Sequence, residues 1–366
     1  MTLLWLVLAA GTFTAAVALL VADRLRKRRD EAQAYLKGVR SVISGHPDAA
    51  IEALSDAARL GTPEAVETYL ALGALFRRTG DLARAVRLHR NMLLGPVLDP
   101  ARRAEVEREL AEDYRRSGML AEAAEIYARL AVEDRSAAEG LRDVRVDQGD
   151  LAAAAEVQRR LGAHPDPILA HLLAARAREV GARDPAAASA IAAEALGADP
   201  SSADALLAAA EAASARGDGG AAIASIARAL DADPRAATLA WPALAAVPDA
   251  GAAEAFARAR LGSRPEDAAL HLLHGRALVR LGRVPDALAA LRAALDLDRT
   301  GEVTLAMREL LREAEAPGPD DLAARHDLLV AALLRRARPL RCARCGADAA
   351  ARTWRCRRCG AFDPYP

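Results

Sequence analysis

Two Asp-Pro dipeptides, Asp199-Pro200 and Asp233-Pro234, stand 34 residues apart, and the stretch between them is patterned. It carries Ala210, the pair Gly217-Asp218, then Ala222, Ile226 and Ala229. That order spells a helical hairpin. A small residue in each helix lets the two axes approach, glycine closes the turn, and proline ends the second helix because it has no N–H to continue it. One such hairpin cannot bury its apolar face alone. A chain that repeats it must stack the copies into a solenoid, each touching only its neighbours.

The copies are present. One reads Leu72-Gly73, Phe76, Gly80-Asp81, Ala85. Others read Leu110-Ala111, Tyr114, Gly118, Ala123, Tyr127, and His274-Gly275, Leu278, Gly282, Ala287, Leu291, Ala294. An early one reads Gly38, Gly45, Ala50, Leu54, Ala57. This is the grammar of the tetratricopeptide repeat. About eight units fit between residues 31 and 298, with the pattern weakest near 138–163 and 235–265. Residues 95–100 form a longer connection. Residues 301–314 and 320–336 predict two closing helices, split by Pro317-Gly318-Pro319.

Composition agrees with an all-α fold. Apolar residues make up 52% of the chain but aromatics only 3%, and much of the apolar share is alanine, the strongest helix former. Fifty basic residues balance fifty acidic ones, so the basic excess of a nucleic-acid binder is missing. The sequence holds no Walker-type phosphate loop, no GxSxG elbow and no HExxH. Arrays of this kind hold other proteins, and the expectation is a scaffold without catalytic residues.

Two further segments flank the array. Residues 1–22 contain no charge, and Leu3 to Ala22 is long enough to span a bilayer core as a helix. Arg24, Arg26, Lys27, Arg28 and Arg29 follow. A signal peptide would carry its charge before the apolar run. The positive-inside rule therefore predicts an uncleaved anchor with the rest of the chain in the cytoplasm.

At the other end, all four cysteines fall between 342 and 359, as Cys342-Ala-Arg-Cys345-Gly346 and Cys356-Arg-Arg-Cys359-Gly360. Two CxxC pairs, each followed by glycine, make two metal knuckles, and four thiolates suit Zn²⁺ or iron. Two disulfides are the competing reading, and a cytoplasmic location disfavours them. A closed four-sulfur site is structural rather than hydrolytic. Arg341, Arg344, Arg355, Arg357 and Arg358 can offset its negative charge, or face acidic lipid headgroups or a partner. Such a short module needs the metal for its fold. Leu340, Trp354 and Phe362 are expected to pack on the knuckles or dock the module on the last helices. Within the array, His271 and His274 could contribute to a metal site, though no carboxylate or cysteine is placed to complete it. Arg77-Arg78 and Arg115-Arg116 are expected to act as dipole partners at helix C-termini.

The ordered combination of anchor, repeats and cysteine tail resembles the lipopolysaccharide assembly protein B family. The resemblance is sharpest at residues 35–38 (Tyr-Leu-Lys-Gly), 67–78 (Glu-Thr-Tyr-Leu-Ala-Leu-Gly-Ala-Leu-Phe-Arg-Arg), 85–91 (Ala-Val-Arg-Leu-His-Arg-Asn) and Trp354-Arg355-Cys356. Residues 138–265 depart from it, being alanine-rich and weakly patterned. It implies a single-pass inner-membrane protein with its bulk in the cytoplasm and a rubredoxin-like tail holding one zinc or iron ion on Cys342, Cys345, Cys356 and Cys359. It further implies an adaptor that promotes degradation of the deacetylase committing carbon to lipid A, by working with a membrane-bound ATP-dependent protease. A general envelope-assembly scaffold and a rubredoxin-like electron-transfer protein are the alternatives. The expected organisation is an anchor over 1–23, a basic juxtamembrane segment over 24–30, the repeat array over 31–316, a closing helix and linker over 317–339, and the Cys₄ module over 340–366. The oligomeric state is left open.

Overall fold

A computed structural model of the chain describes residues 17–23, 26, 63–94, 98–162, 164–298, 301, 304–305 and 340–365. The early unit over 31–62, most of the expected anchor and the expected closing helices lie outside these residues. Residues 17–23 are helical, with Leu19 and Leu20 exposed. Among the described residues no helix is long and apolar enough to cross a membrane. The chain forms two compact units, residues 1–150 and 151–366.

The first unit holds α1 (Pro63–Thr79), α2 (Leu82–Leu93), α3 (Pro100–Arg116), α4 (Leu120–Leu130) and α5 (Arg135–Asp147). Helices α1 and α2, and α3 and α4, are joined as hairpins whose turns obey one rule. After α1, Gly80 takes φ +86° and the N–H of Asp81 returns to the Phe76 carbonyl at 2.9 Å. The same closure recurs from Met119 to Tyr114 (2.9 Å), with Gly118 at φ +81°. An L side chain at these positions would be strained, so glycine is required. Among the described residues, two clusters lie in the core of the unit. Tyr69, Leu88, Met92 and Val106 form one, and Ala111, Ala123, Tyr127 and Val144 form the other.

The second unit holds α6 (Leu151–Leu161), α7 (Pro167–Gly181), α8 (Pro185–Ala198), α9 (Ala203–Ala215) and α10 (Gly219–Ala232). A 3₁₀ turn (Pro234–Thr238), α11 (Trp241–Ala245), α12 (Ala250–Ser263), α13 (Ala268–Arg280) and α14 (Val284–Leu297) follow. Residues 138–161, weakly patterned in sequence, fold as the rest of α5, a turn at Gly149 and α6. Residues 234–245 break the hairpin pattern. Pro234, Pro242 and Pro248 leave no room for a full first helix, and the chain makes a 3₁₀ turn and one short helix instead. Ala236, Ala240, Leu244 and Val247 still fill the core, with Ile226, Leu230 and Leu273.

The prolines carry a second role that the hairpin pattern did not show. In Asp99-Pro100, Asp166-Pro167 and Asp184-Pro185, proline opens a helix at its first turn and the aspartate before it caps the N-terminus. Asp233 closes α10 and caps the 3₁₀ turn that begins at Pro234. Each such cap contributes about 1 kcal/mol to helix stability. The tail is the part of the described chain with strands: β1 (Leu340–Arg341) pairs antiparallel with β2 (Asp348–Ala349).

Candidate functional site

Each CxxC pair sits on a tight turn. Gly346 (φ +67°) donates its N–H to the Cys342 carbonyl at 2.8 Å, and Gly360 (φ +73°) to that of Cys356 at 2.9 Å. The two knuckles face each other. Cys342 Sγ lies 3.7 Å from Cys359 Sγ, Cys345 Sγ lies 3.9 Å from Cys356 Sγ, and all four sulfurs fall within 4.8 Å of one another. A tetrahedral ion with metal–sulfur bonds of about 2.3 Å needs sulfur–sulfur edges of about 3.8 Å. A disulfide needs about 2.05 Å. The four cysteines are free thiols in an arrangement that accepts a single thiolate-bound ion.

Two of the thiols are shifted, in opposite directions. Burial alone would raise the Cys356 thiol, but the N–H groups of Cys359 and Arg358 outweigh it and hold it at about 7. Burial pushes Cys359 up to about 12. Of these two, Cys356 is the one that ionises first. The flanking arginines divide. Arg341 bonds Asp348 at 3.0 Å, and Arg355 donates to the Gly360 carbonyl at 3.2 Å with its guanidinium over the Phe362 ring. Arg344, Arg357 and Arg358 are exposed.

Among the described residues, the module docks against the middle of the second unit; the expected closing helices lie outside these residues. Leu340 packs on the knuckles as expected, but Trp354 packs against the core cluster that contains Ala236, Leu244 and Leu270. His171 of α7 is the centre of the contact. Its ring stacks on Phe362 at 5.5 Å between centroids and meets Trp354 at 5.4 Å. Its Nδ1 lies 2.7 Å from Asp204 of α9, and its Nε2 lies 2.8 Å from Asp363 of the tail. Burial lowers its proton affinity, but the two carboxylates outweigh that and raise it to about 9. Asp363 is the one non-glycine residue among those described with positive φ, at +43°. Arg235, beside the 3₁₀ turn, reaches the Tyr365 carbonyl at 3.4 Å.

The arginines at the ends of the first helices do more than complement a dipole. Arg77 of α1 crosses to Glu109 (2.6 Å) and Asp113 (2.7 Å) of α3. Arg115 of α3 crosses to Asp147 (2.6 Å) and Asp143 (3.5 Å) of α5. In the second unit Arg178 of α7 crosses to Asp204 (2.7 Å) and Glu211 (3.1 Å) of α9. Each ties one hairpin to the next. His271 and His274 share no ligand position. His271 Nε2 bonds the Pro265 carbonyl at 2.8 Å, and His274 Nε2 bonds Glu254 at 3.0 Å.

The family model for the tetratricopeptide repeat matches residues 44–91 and 250–302. Those two stretches match the tetratricopeptide repeat. Lipopolysaccharide assembly protein B of Escherichia coli strain K12 is 30% identical over 112 residues, which cover 30% of this chain and 28% of that protein. The protein of the same name from Escherichia coli O157:H7 gives the same figures. The match thus spans little more than a quarter of the length of these relatives. A tetratricopeptide repeat protein from Parabacteroides merdae superposes with TM-score 0.32 and 15% identity, covering 84% of this chain and 98% of that one. The C-terminal part of a repeat-containing protein from Cytophaga hutchinsonii gives TM-score 0.42 and 12% identity over 73% and 95% of the two chains.

The described chain is an α-helical array that carries a cysteine module. Its cysteine module is folded onto the repeats through residues that the sequence does not announce. His171 and Asp204 each look like ordinary helix residues, and Asp363 lies 192 positions from His171. The one available signal was the pair Trp354 and Phe362, two aromatics in a chain with only 3% of them.

Proposed function

We propose that the chain is an inner-membrane adaptor that regulates lipopolysaccharide synthesis by presenting the lipid A pathway deacetylase to a membrane-bound ATP-dependent protease. The observation that carries this reading is the 112-residue match to a protein named for lipopolysaccharide assembly, in a chain whose array is built to bind. In this reading residues 1–23 anchor the chain and 24–30 lie against the cytoplasmic leaflet. Residues 31–316 hold the partners, 317–339 link, and 340–366 form the metal module. The bulk of the protein faces the cytoplasm.

Cys342, Cys345, Cys356 and Cys359 hold one Zn²⁺ or iron ion, whose bonds supply the folding energy that so short a module lacks. The role of the ion is structural: it fixes the two knuckles so that Trp354, Phe362 and Asp363 meet the array. The anchor confines the array to the plane where both partners sit, which raises effective concentration without any new contact.

The test is the lifetime of the deacetylase. Depleting the chain in its own host should slow decay of the deacetylase after synthesis is blocked, as followed by immunoblot. Restoring a chain lacking residues 1–22 should leave decay slow although the repeats fold. A deacetylase lifetime unaffected by depletion contradicts the proposal.

A further inference from the structure

The residues that dock the cysteine module are also those that close its second knuckle. Trp354 stands two positions before Cys356, and Phe362 and Asp363 follow Cys359 by three and four. One hairpin carries them. Arg355 bridges Phe362, the Cys356 N–H donates to the Ala361 carbonyl at 2.7 Å, and the Asp363 N–H donates to the Trp354 carbonyl at 2.9 Å. The next two residues reach the other knuckle: the Ala343 N–H donates to the Pro364 carbonyl at 2.8 Å, and Tyr365 is buried with Cys342 and Cys356. Asp363 itself holds φ +43°, a conformation that favours glycine, with its carboxylate on His171 Nε2. The four-sulfur cage and the docking face thus share one backbone.

Neither the cage nor the docking face holds alone. Among the described residues, the regular structure of the module is one two-residue ladder and one isolated bridge, too little to persist without an ion. The face it offers to α7 is small: the pair of Asp363 with His171, two rings on that imidazole, and Trp354 in the core. Ordering about a dozen free residues costs more than such a contact returns, so the face binds only when preformed. We propose that the ion and the array form one latch: loss of the ion releases the module and bares the His171–Asp204 node, and His171, which is not a ligand, slows that loss. Linkage makes the coupling reciprocal, so the share of docking that needs the ion returns as ion affinity. His171 is a positioning residue. Its partners are Asp204, Asp363, Phe362 and Trp354, and it acts on the sulfurs through the last three. The latch rests on the ion proposed for the four cysteines and adds the array's share in holding it.

The zinc-loaded full chain in lipid nanodiscs tests it in two ways. Release of zinc to a chromophoric chelator, followed by absorbance, should run about tenfold faster in His171→Ala and in Asp363→Asn than in the wild type. The double variant should be no faster than either, because both remove one contact. Asparagine keeps the shape of Asp363 and tolerates its positive φ, so the knuckle itself is unchanged. Ala192→Gly, a core change in α8 that leaves the residues of the node in place, should loosen the second unit yet leave zinc release at the wild-type rate. Hydrogen exchange of the wild type needs no variant: stripping the zinc should deprotect the amides of α7 and α9 and spare those of α1–α3. Release that ignores His171 and Asp363, release that Ala192→Gly speeds equally, or α7 and α9 that stay as protected without zinc as with it each overturn the latch. These three outcomes leave the four-cysteine site standing. A wild-type chain that takes up neither zinc nor iron overturns the latch and the site together.

Discussion

His171 Nε2 lies 2.8 Å from the carboxylate of Asp363, joining the middle of the array to the last residues of the cysteine module. The other ring nitrogen of His171 lies 2.7 Å from Asp204, itself bound by Arg178 at 2.7 Å. One imidazolium thus donates to two carboxylates from two parts of the chain, with the Phe362 ring stacked on it. The position of the module is fixed by this polar node and by Trp354 in the core beneath it.

The node makes stability depend on pH. His171 titrates at about 9, raised from an ordinary value of 6.5. A raised value means that the stabilising charge is complete below about pH 6.5 and is lost as pH rises through about 9. The contribution is on the order of 1–3 kcal/mol, discounted because Asp363 is more than half exposed. Thermal unfolding of the full chain between about pH 6.5 and about pH 9.5 should show the wild type losing more stability than His171→Gln. Equal losses would remove His171 from the account.

Close packing of the hairpins rests on particular glycines. A Cβ on Gly73 would lie 2.3 Å from His89 Nε2, on a ring that is fully buried. Gly73→Ala should therefore cost about 1–3 kcal/mol. Gly197 in α8 has nothing within 4 Å of the same position. Gly197→Ala should be neutral or stabilise by up to about 1 kcal/mol through helix propensity. Denaturant melts of the two variants check both signs.

Asp113 is fully buried and accepts from Arg77 at 2.7 Å and from His89 at 2.6 Å. Asp113→Asn removes the charge that faces Arg77 and turns one of the two acceptors into a donor, and should destabilise the first unit by about 3 kcal/mol. Asp231→Asn, which breaks an exposed pair with Arg260, should leave stability unchanged. Hydrogen exchange of α1–α3 reports the first, and a thermal melt the second.

Much of this architecture is legible in the sequence because it is local. Gly80, Gly118, Gly217 and Gly282 mark hairpin turns by a rule that needs only six consecutive residues. The cysteine spacing brings four sulfurs together because each pair is held on its own turn. The rest depends on residues distant in sequence. Nothing near Arg77 says that its partner is Asp113 in the next hairpin rather than its own helix end. Pro234, Pro242 and Pro248 together shorten a helix that the repeat pattern would have drawn in full. His171 meets Asp363 only because the tail folds back onto α7, and no local pattern specifies that return.

The cysteine module should fail as a unit. In the proposed site, Cys342→Ser or Cys356→Ser removes one of four ligands of an ion that would supply on the order of 10 kcal/mol of folding energy. Metal content by plasma mass spectrometry, after dialysis against a chelator, should fall well below that of the wild type. The helical circular dichroism of the array should persist. Wild-type metal retention in both variants would show that these sulfurs do not hold the ion.

The adaptor account is tested most directly by crosslinking the full-length chain in its own membranes and identifying what copurifies by mass spectrometry. Recovery of a membrane-bound ATP-dependent protease together with the lipid A pathway deacetylase is the predicted result. Recovery of neither, with redox proteins in their place, would contradict the account and move the function to the metal tail.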